Sequence, residues 1–215
     1  DTCTRTGSAS QNAGILKVTG VENLTLNANT VYTADFRNVT GLSNLTVNST
    51  GTFNLNRLST DVAVKIAEST TATNLSLQTD TSHSVTYTAT KTTTSLGLDA
   101  AATTLNLSAD SGVTGTTSDI SGAALTTINV TGAGANTISA VTSSTGVTKV
   151  DASAATGKLT LTTLAAAAAG VSVLGSTTGD DITASANVDT IKGGAGADTL
   201  AGGAGADIYV FEATG

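Results

Sequence analysis

Along most of this chain, short runs alternate apolar and polar residues with a period of two. The clearest are Leu24-Thr25-Leu26, Leu45-Thr46-Val47, Leu75-Ser76-Leu77, Leu96-Gly97-Leu98 and Leu105-Asn106-Leu107. Ile128-Asn129-Val130, Leu159-Thr160-Leu161 and Val171-Ser172-Val173 continue the series. Weaker versions at Phe53-Asn54-Leu55, Val62-Ala63-Val64 and Val85-Thr86-Tyr87 fill places between them. Such alternation marks a strand with one buried face. Strand starts recur about every ten residues, and the separators are rich in Gly, Ser, Thr, Asn and Asp, which form turns. Regular short strands also fit a β-sandwich. Two features favour a solenoid: the strands span only about three to five residues, and their spacing runs unbroken into a stricter nine-residue frame near the C-terminal end. The prediction is an all-β chain, a parallel right-handed β-solenoid or β-roll, with coils stacked about 4.8 Å apart. Each coil would bury its inner face only against its neighbours.

The nine-residue frame carries the chemistry. Residues 193 to 201 read Gly-Gly-Ala-Gly-Ala-Asp-Thr-Leu-Ala, and residues 202 to 210 read Gly-Gly-Ala-Gly-Ala-Asp-Ile-Tyr-Val. The pattern G-G-x-G-x-D-x-U-x, with U a large apolar residue, predicts a calcium-binding turn of a parallel β-helix. Glycines let the backbone bend sharply and aim carbonyl oxygens inward. The aspartate adds a hard anionic oxygen, and calcium takes six to eight such ligands. Two further frames precede in register, Gly175 to Thr183 and Ala184 to Lys192. They lack most of the glycines but keep aspartate at the sixth place and isoleucine at the eighth. The four frames align Asp180, Asp189, Asp198 and Asp207, and likewise Ile182, Ile191, Leu200 and Tyr209. A flexible Gly/Ala/Asp linker has no reason to place an apolar residue at every ninth position. The chain therefore divides into a degenerate β-solenoid, 1–174, and a calcium-binding β-roll continuous with it, 175–215.

Composition narrows the rest. Of 215 residues, 23 are glycine and none is proline, methionine or tryptophan. Threonine supplies about one residue in five, which suits half-buried pleated surfaces. Absence of proline suits uninterrupted strand ladders. Hydrophobic residues are 39%, much of that alanine, valine and leucine, and aromatics only 3%; this fills a thin repetitive core and is poorly suited to a large globular one. The net charge of -7 repels nucleic-acid phosphates and is compatible with divalent cations. No apolar run is long enough to span a bilayer; the alanines at 165–169 predict a short helical turn or a tight spot in a coil. The single cysteine, Cys3, has no internal partner for a disulfide. The chain opens without methionine or a signal peptide and stops just after a repeat, which reads as a piece of a longer polypeptide.

Catalytic constellations are missing from the sequence. The only histidine, His83 in Thr-Ser-His-Ser-Val, reads as an exposed strand or turn residue. No G-x-S-x-G elbow, H-E-x-x-H helix or phosphate-binding glycine loop is present. Asp180 and Asp181 are adjacent, so on a strand they face opposite ways and form no acid/base pair. The expectation is a non-enzyme. N-x-S/T sequons at Asn23, Asn38, Asn44, Asn48, Asn74, Asn106 and Asn129 arise by chance in a chain so rich in threonine.

These tandem Gly-Gly-Ala-Gly-Ala-Asp nonapeptides resemble those of RTX (repeats-in-toxin) proteins, exported by type I secretion from Gram-negative bacteria. The Thr/Ala/Gly/Ser-rich, proline-free, acidic body with recurring Asn-Leu-Thr phrases resembles the RTX-type surface-layer proteins, which build a calcium-dependent lattice around the cell. In the family's roll, consecutive nonapeptides lie on opposite sides, and a calcium ion sits between repeat n and repeat n+2. Carried onto this sequence, the resemblance implies pairs Asp180 with Asp198 and Asp189 with Asp207. It implies backbone carbonyl ligands from Gly193, Gly194, Ala195 and Gly196, and from Gly202, Gly203, Ala204 and Gly205. The sparse glycines of the first two frames predict weaker or distorted sites there. Two carboxylates about 5 Å apart repel by about 0.8 kcal/mol in water and about 3 kcal/mol at an effective dielectric near 20. Binding free energy thus becomes folding free energy. What the resemblance implies is an extracellular, self-associating structural protein, with cell-surface polysaccharide as a further partner. The alternatives are the stalk of an RTX adhesin and the non-catalytic tail of a secreted hydrolase or toxin.

Overall fold

The computed structural model describes residues 2–7, 11–28, 32–49, 53–56, 58, 62–67, 73–77, 81–165 and 167–211. The last four residues of the predicted calcium-binding segment, 212–215, lie outside these.

The chain winds as a parallel β-solenoid with two sheets, and successive strands alternate between them. One sheet runs β1 (Thr2–Gly7), β3 (Asn23–Ala28), β5 (Asn44–Ser49), β7 (Ala63–Ile66), β9 (Ser82–Tyr87), β11 (Thr104–Ala109), β14 (Thr127–Gly132), β16 (Lys149–Ala155), β18 (Ser172–Leu174), β20 (Thr190–Lys192) and β22 (Ile208–Tyr209). The other runs β2 (Gln11–Thr19), β4 (Tyr32–Thr40), β6 (Phe53–Asn56), β8 (Thr73–Leu77), β10 (Lys91–Leu98), β12 (Thr114–Thr117), β15 (Ala135–Ile138), β17 (Leu159–Leu161), β19 (Asp181–Thr183) and β21 (Thr199–Ala201). A short strand, β13 (Ile120–Ser121), also pairs with β10.

In-register stacking explains why the alternating triads specify this fold. Leu24 pairs with Leu45, Leu45 with Val64, and Val64 with Val85. Farther along, Ile128 pairs with Val150, Val150 with Val173, and Val173 with Ile191. A one-residue slip would turn every one of these side chains outward, so the pattern fixes the register. All are at most 2% exposed, and burying each such side chain contributes about 1.5–3 kcal/mol. The outward positions carry polar ladders instead. Asn44 donates from Nδ2 to Asn23 Oδ1 (3.1 Å), Asn48 to Asn27 (2.9 Å) and Asn129 to Asn106 (2.9 Å).

Two expectations are corrected. Strands are not uniformly three to five residues long: β2 and β4 each span nine, and only β17 to β21 shrink to three. Of the two readings of the alanine run, the described residues favour a tight spot in a coil: Ala167 N–H donates to Leu164 (3.0 Å) in a turn, and Ala168 N–H to Thr145 of the preceding coil (3.0 Å). His83 is buried, at 4% exposure. Strand parity is the reason, since it shares the inward face of β9 with Val85 and Tyr87 and pairs with Leu105.

Candidate metal centre

Each nonapeptide frame splits into a six-residue turn and a short strand. The strands of the four frames are β19, β20, β21 and β22, and they alternate between the two sheets. β19 pairs with β21, Asp181 opposite Thr199, while β20 pairs with β22, Thr190 opposite Ile208. The turn at 175–180 therefore stacks on the turn at 193–198, and the turn at 184–189 on the turn at 202–207. Three of the four apolar eighth residues pack into the core. Ile182 and Ile191 are buried, Leu200 is half-buried against the same core, and Tyr209 is more exposed.

This stacking brings the aspartates together in the two pairs that the resemblance implied. Asp180 N–H donates to Asp198 Oδ1 (2.9 Å), and Asp189 N–H donates to Asp207 Oδ1 (3.0 Å). One coil earlier the same bond recurs: Leu159 N–H donates to Asp180 Oδ1 (2.7 Å), and Val171 N–H to Asp189 Oδ1 (2.6 Å). Each carboxylate thus caps the main chain of the coil before it. Asp181, the neighbour of Asp180, faces out and pairs with Lys158 (2.5 Å). That hydrogen bond holds the Asp181 carboxyl below its ordinary range.

The glycines of the last two frames are demanded by space. A Cβ on Gly193 would lie 2.3 Å from Asp198 Oδ2, and one on Gly202 would lie 1.9 Å from Asp207 Oδ2. The first glycine is the cradle into which the carboxylate of its own frame folds back. Gly194 and Gly203 have φ of +97° and +96°, and a Cβ on either would strike the carbonyl oxygen of Ser176 or Ser185 at 2.0 or 1.9 Å. Gly196 and Gly205 complete the left-handed turn geometry with φ of +113° and +114°. Gly194, Ala195 and Gly196 are exposed, as are Gly203, Ala204 and Gly205, while Gly193 and Gly202 are buried. Asp198 and Asp207 are half-buried beside these loops. Among the described residues no three acidic, histidine or cysteine side chains converge. A calcium shell of six to eight oxygens must then be completed by main-chain carbonyls, and an exposed glycine loop wrapped around one carboxylate is a donor set of that kind. The residues fit the ion.

The first two frames reach the same turn by other means, which sequence reasoning missed. Ser176 and Ser185 stand where Gly194 and Gly203 stand in the later frames. Ser176 donates to Asp180 through N–H (2.5 Å) and Oγ–H (2.8 Å). Ser185 donates to Asp189 through N–H (2.8 Å) and Oγ–H (2.9 Å). Each serine oxygen also accepts the N–H two residues on, from Thr178 and Asn187 (both 3.1 Å). Asn187, at the place of the third glycine, bonds Ala167 O of the previous coil (2.9 Å). The signal in the sequence is a serine four residues before each aspartate.

A related phrase lies upstream, at the connection between β14 and β15. Residues 132–138 read Gly-Ala-Gly-Ala-Asn-Thr-Ile, against Gly-Ala-Gly-Ala-Asp-Thr-Leu at 194–200. Gly132 has φ of +91°, close to that of Gly194. Asn136 takes the aspartate's place at 2% exposure, opposite Leu159 in the sheet that leads on to Asp180 and Asp198.

Comparison with known proteins agrees with the geometry over this stretch. The RTX calcium-binding nonapeptide repeat matches residues 174–209, in four copies. RTX nonapeptide repeats bind calcium, and proteins that carry them are typically secreted. No curated protein and no solved structure matches the chain. No helix among the described residues is long and apolar enough to cross a membrane.

Proposed function

We propose that the chain is a non-enzymatic, extracellular structural segment that calcium orders and that then associates with further copies of itself into a surface layer or filament. One observation carries the reading: the aspartate turns are joined, in the same two sheets, to a polar-coated solenoid body. Calcium that orders one end acts on a continuous ladder rather than on a separate module. Flat faces of threonine and asparagine, few charges and stacked strand edges favour lateral and end-to-end contact between copies. The resemblance to exported repeat proteins supports type I secretion, in which low calcium inside the cell keeps the glycine turns loose and higher calcium outside closes them. Cell-surface polysaccharide is the further partner proposed for the polar faces.

Electron microscopy and light scattering, cycled between a few millimolar calcium and excess chelator, test this reading. Ordered sheets or filaments that dissolve on chelation are expected. Particles that remain monomeric throughout favour the stalk of an adhesin or the folded tail of a secreted hydrolase or toxin.

A further inference from the structure

We infer that Ser176 and Ser185 do in the first two aspartate turns what calcium does in the last two, so that the coils carrying Asp180 and Asp189 are closed without the ion. They form a permanent template on which the glycine turns fold when calcium arrives. This inference rests on the calcium-dependent folding of residues 193–209.

The argument starts from the four carboxylates. Asp180 and Asp189 are 1% and 0% exposed. A buried carboxylate must be compensated, because its desolvation otherwise costs several kcal/mol. Here the compensation comes from donors within the chain. Each accepts a main-chain N–H from the coil before, a main-chain N–H from its own serine, and that serine's hydroxyl, at 2.5–2.9 Å. Hydrogen bonds to an ionised acceptor are about twice as strong as neutral ones. The serine hydroxyl is aligned for this by the N–H it accepts from Thr178 or Asn187. The arrangement repeats in both frames, on opposite edges of the solenoid.

Asp198 and Asp207 have no counterpart of that serine. Glycine at the second place of each frame has no hydroxyl, and its φ near +97° leaves no room for one. The bonds present there are those from Asp180 N–H and Asp189 N–H. The Oδ2 atoms of these half-buried carboxylates lie against Gly193 and Gly202, at the start of an exposed loop. Glycine loops also lose the most backbone entropy on ordering. These two turns combine an under-compensated charge with a costly backbone, and an added cation answers both. The serine turns have neither deficit.

Hydrogen–deuterium exchange on the whole chain tests the division. In excess chelator, amides within 171–192 are expected to be protected, and those within 193–209 to exchange at least about 100-fold faster. Calcium is expected to close that gap. Equally fast exchange of both segments in chelator, with calcium slowing only 193–209, overturns the serine closure and leaves calcium folding standing. Slow exchange of both segments that ignores calcium overturns calcium folding itself. The double variant Ser176→Gly/Ser185→Gly supplies the second arm. Segment 171–192 should lose protection in chelator and recover it in calcium. Protection that survives the double substitution in chelator, or a loss that calcium does not restore, overturns the inference.

Discussion

The turn pair 175–180 and 184–189 and the turn pair 193–198 and 202–207 share one nine-residue frame and one position in the coil, yet they neutralise their aspartates differently. In the first pair the chain supplies the protons, through serine and main-chain N–H groups, and the carboxylates are sealed from water. In the second pair glycine removes the serine hydroxyl, and the loop is exposed. The difference shows that the aspartate alone does not define an ion site. Its second-place neighbour decides whether the negative charge is answered from within or from solution.

The largest expected effect comes from closing the glycine loops. Gly194→Ala/Gly203→Ala forces left-handed φ and a carbonyl contact at 2.0 and 1.9 Å on side chains that tolerate neither. Calcium-induced change in far-UV circular dichroism should be abolished, while the upstream strands keep their signal. A normal calcium titration for this variant would remove the distinction between the two turn pairs.

Next in size is the shared core beneath both pairs. Ile191 is fully buried, between Val173 and Tyr209. Ile191→Ala should lower unfolding stability by about 2–4 kcal/mol in urea. Because Ile191 belongs to the apolar core and not to an aspartate turn, the variant's affinity for calcium, measured on the folded protein, should change far less than its urea midpoint.

Single aspartate substitutions sharpen the comparison more finely. Asp189→Ala leaves the N–H groups of Val171 and Ser185 without their acceptor, and should cost about 1–3 kcal/mol per buried donor in chelator. Asp198→Ala should leave stability in chelator nearly unchanged and weaken calcium binding by calorimetry. Equal calcium losses in the two variants would contradict the assignment.

The smallest effect lies outside both pairs. Burial lowers the His83 pKa below its ordinary 6.5, with Asp99 opposing. The unfolded chain then takes up a proton before the folded one does, so this contribution to stability is complete above pH 6.5 and declines as pH falls below it. The urea midpoint should drop between pH 7.5 and pH 5.5, by the same amount with and without calcium. His83→Leu should reduce that drop; an unchanged pH response would clear His83 of the role.

Much of this was legible in the residues. The apolar triads mark β3, β5, β8, β11, β14 and β17 because large side chains recur on one face. β12 escaped because its inward residues are Gly115 and Thr117, too small or too polar to register as a buried pattern. Gly115 is small for a reason: a Cβ there would meet the Tyr87 ring at 2.2 Å. The burial of His83 follows from its parity with Val85 and Tyr87, which outweighs the histidine's polarity. The aspartate columns followed from nine-residue spacing, but the serine donors did not. A serine where glycine is expected reads as decay of a motif, and only the hydrogen bonds reveal it as a replacement. The related phrase at 132–138 was hidden by the exchange of aspartate for asparagine.

The even stacking of coils also makes the molecule a mechanical ruler. Bonds between successive aspartate coils join residues 18 apart, whereas coils farther upstream pair residues 19 to 24 apart. Tension applied along the solenoid axis would peel the chain one coil at a time, since each coil is held mainly by its neighbours. Every rupture in the aspartate segment would release 18 residues, about 60 Å of extended chain. Upstream ruptures would release longer lengths, so a force–extension trace would report, step by step, which part of the ladder had let go.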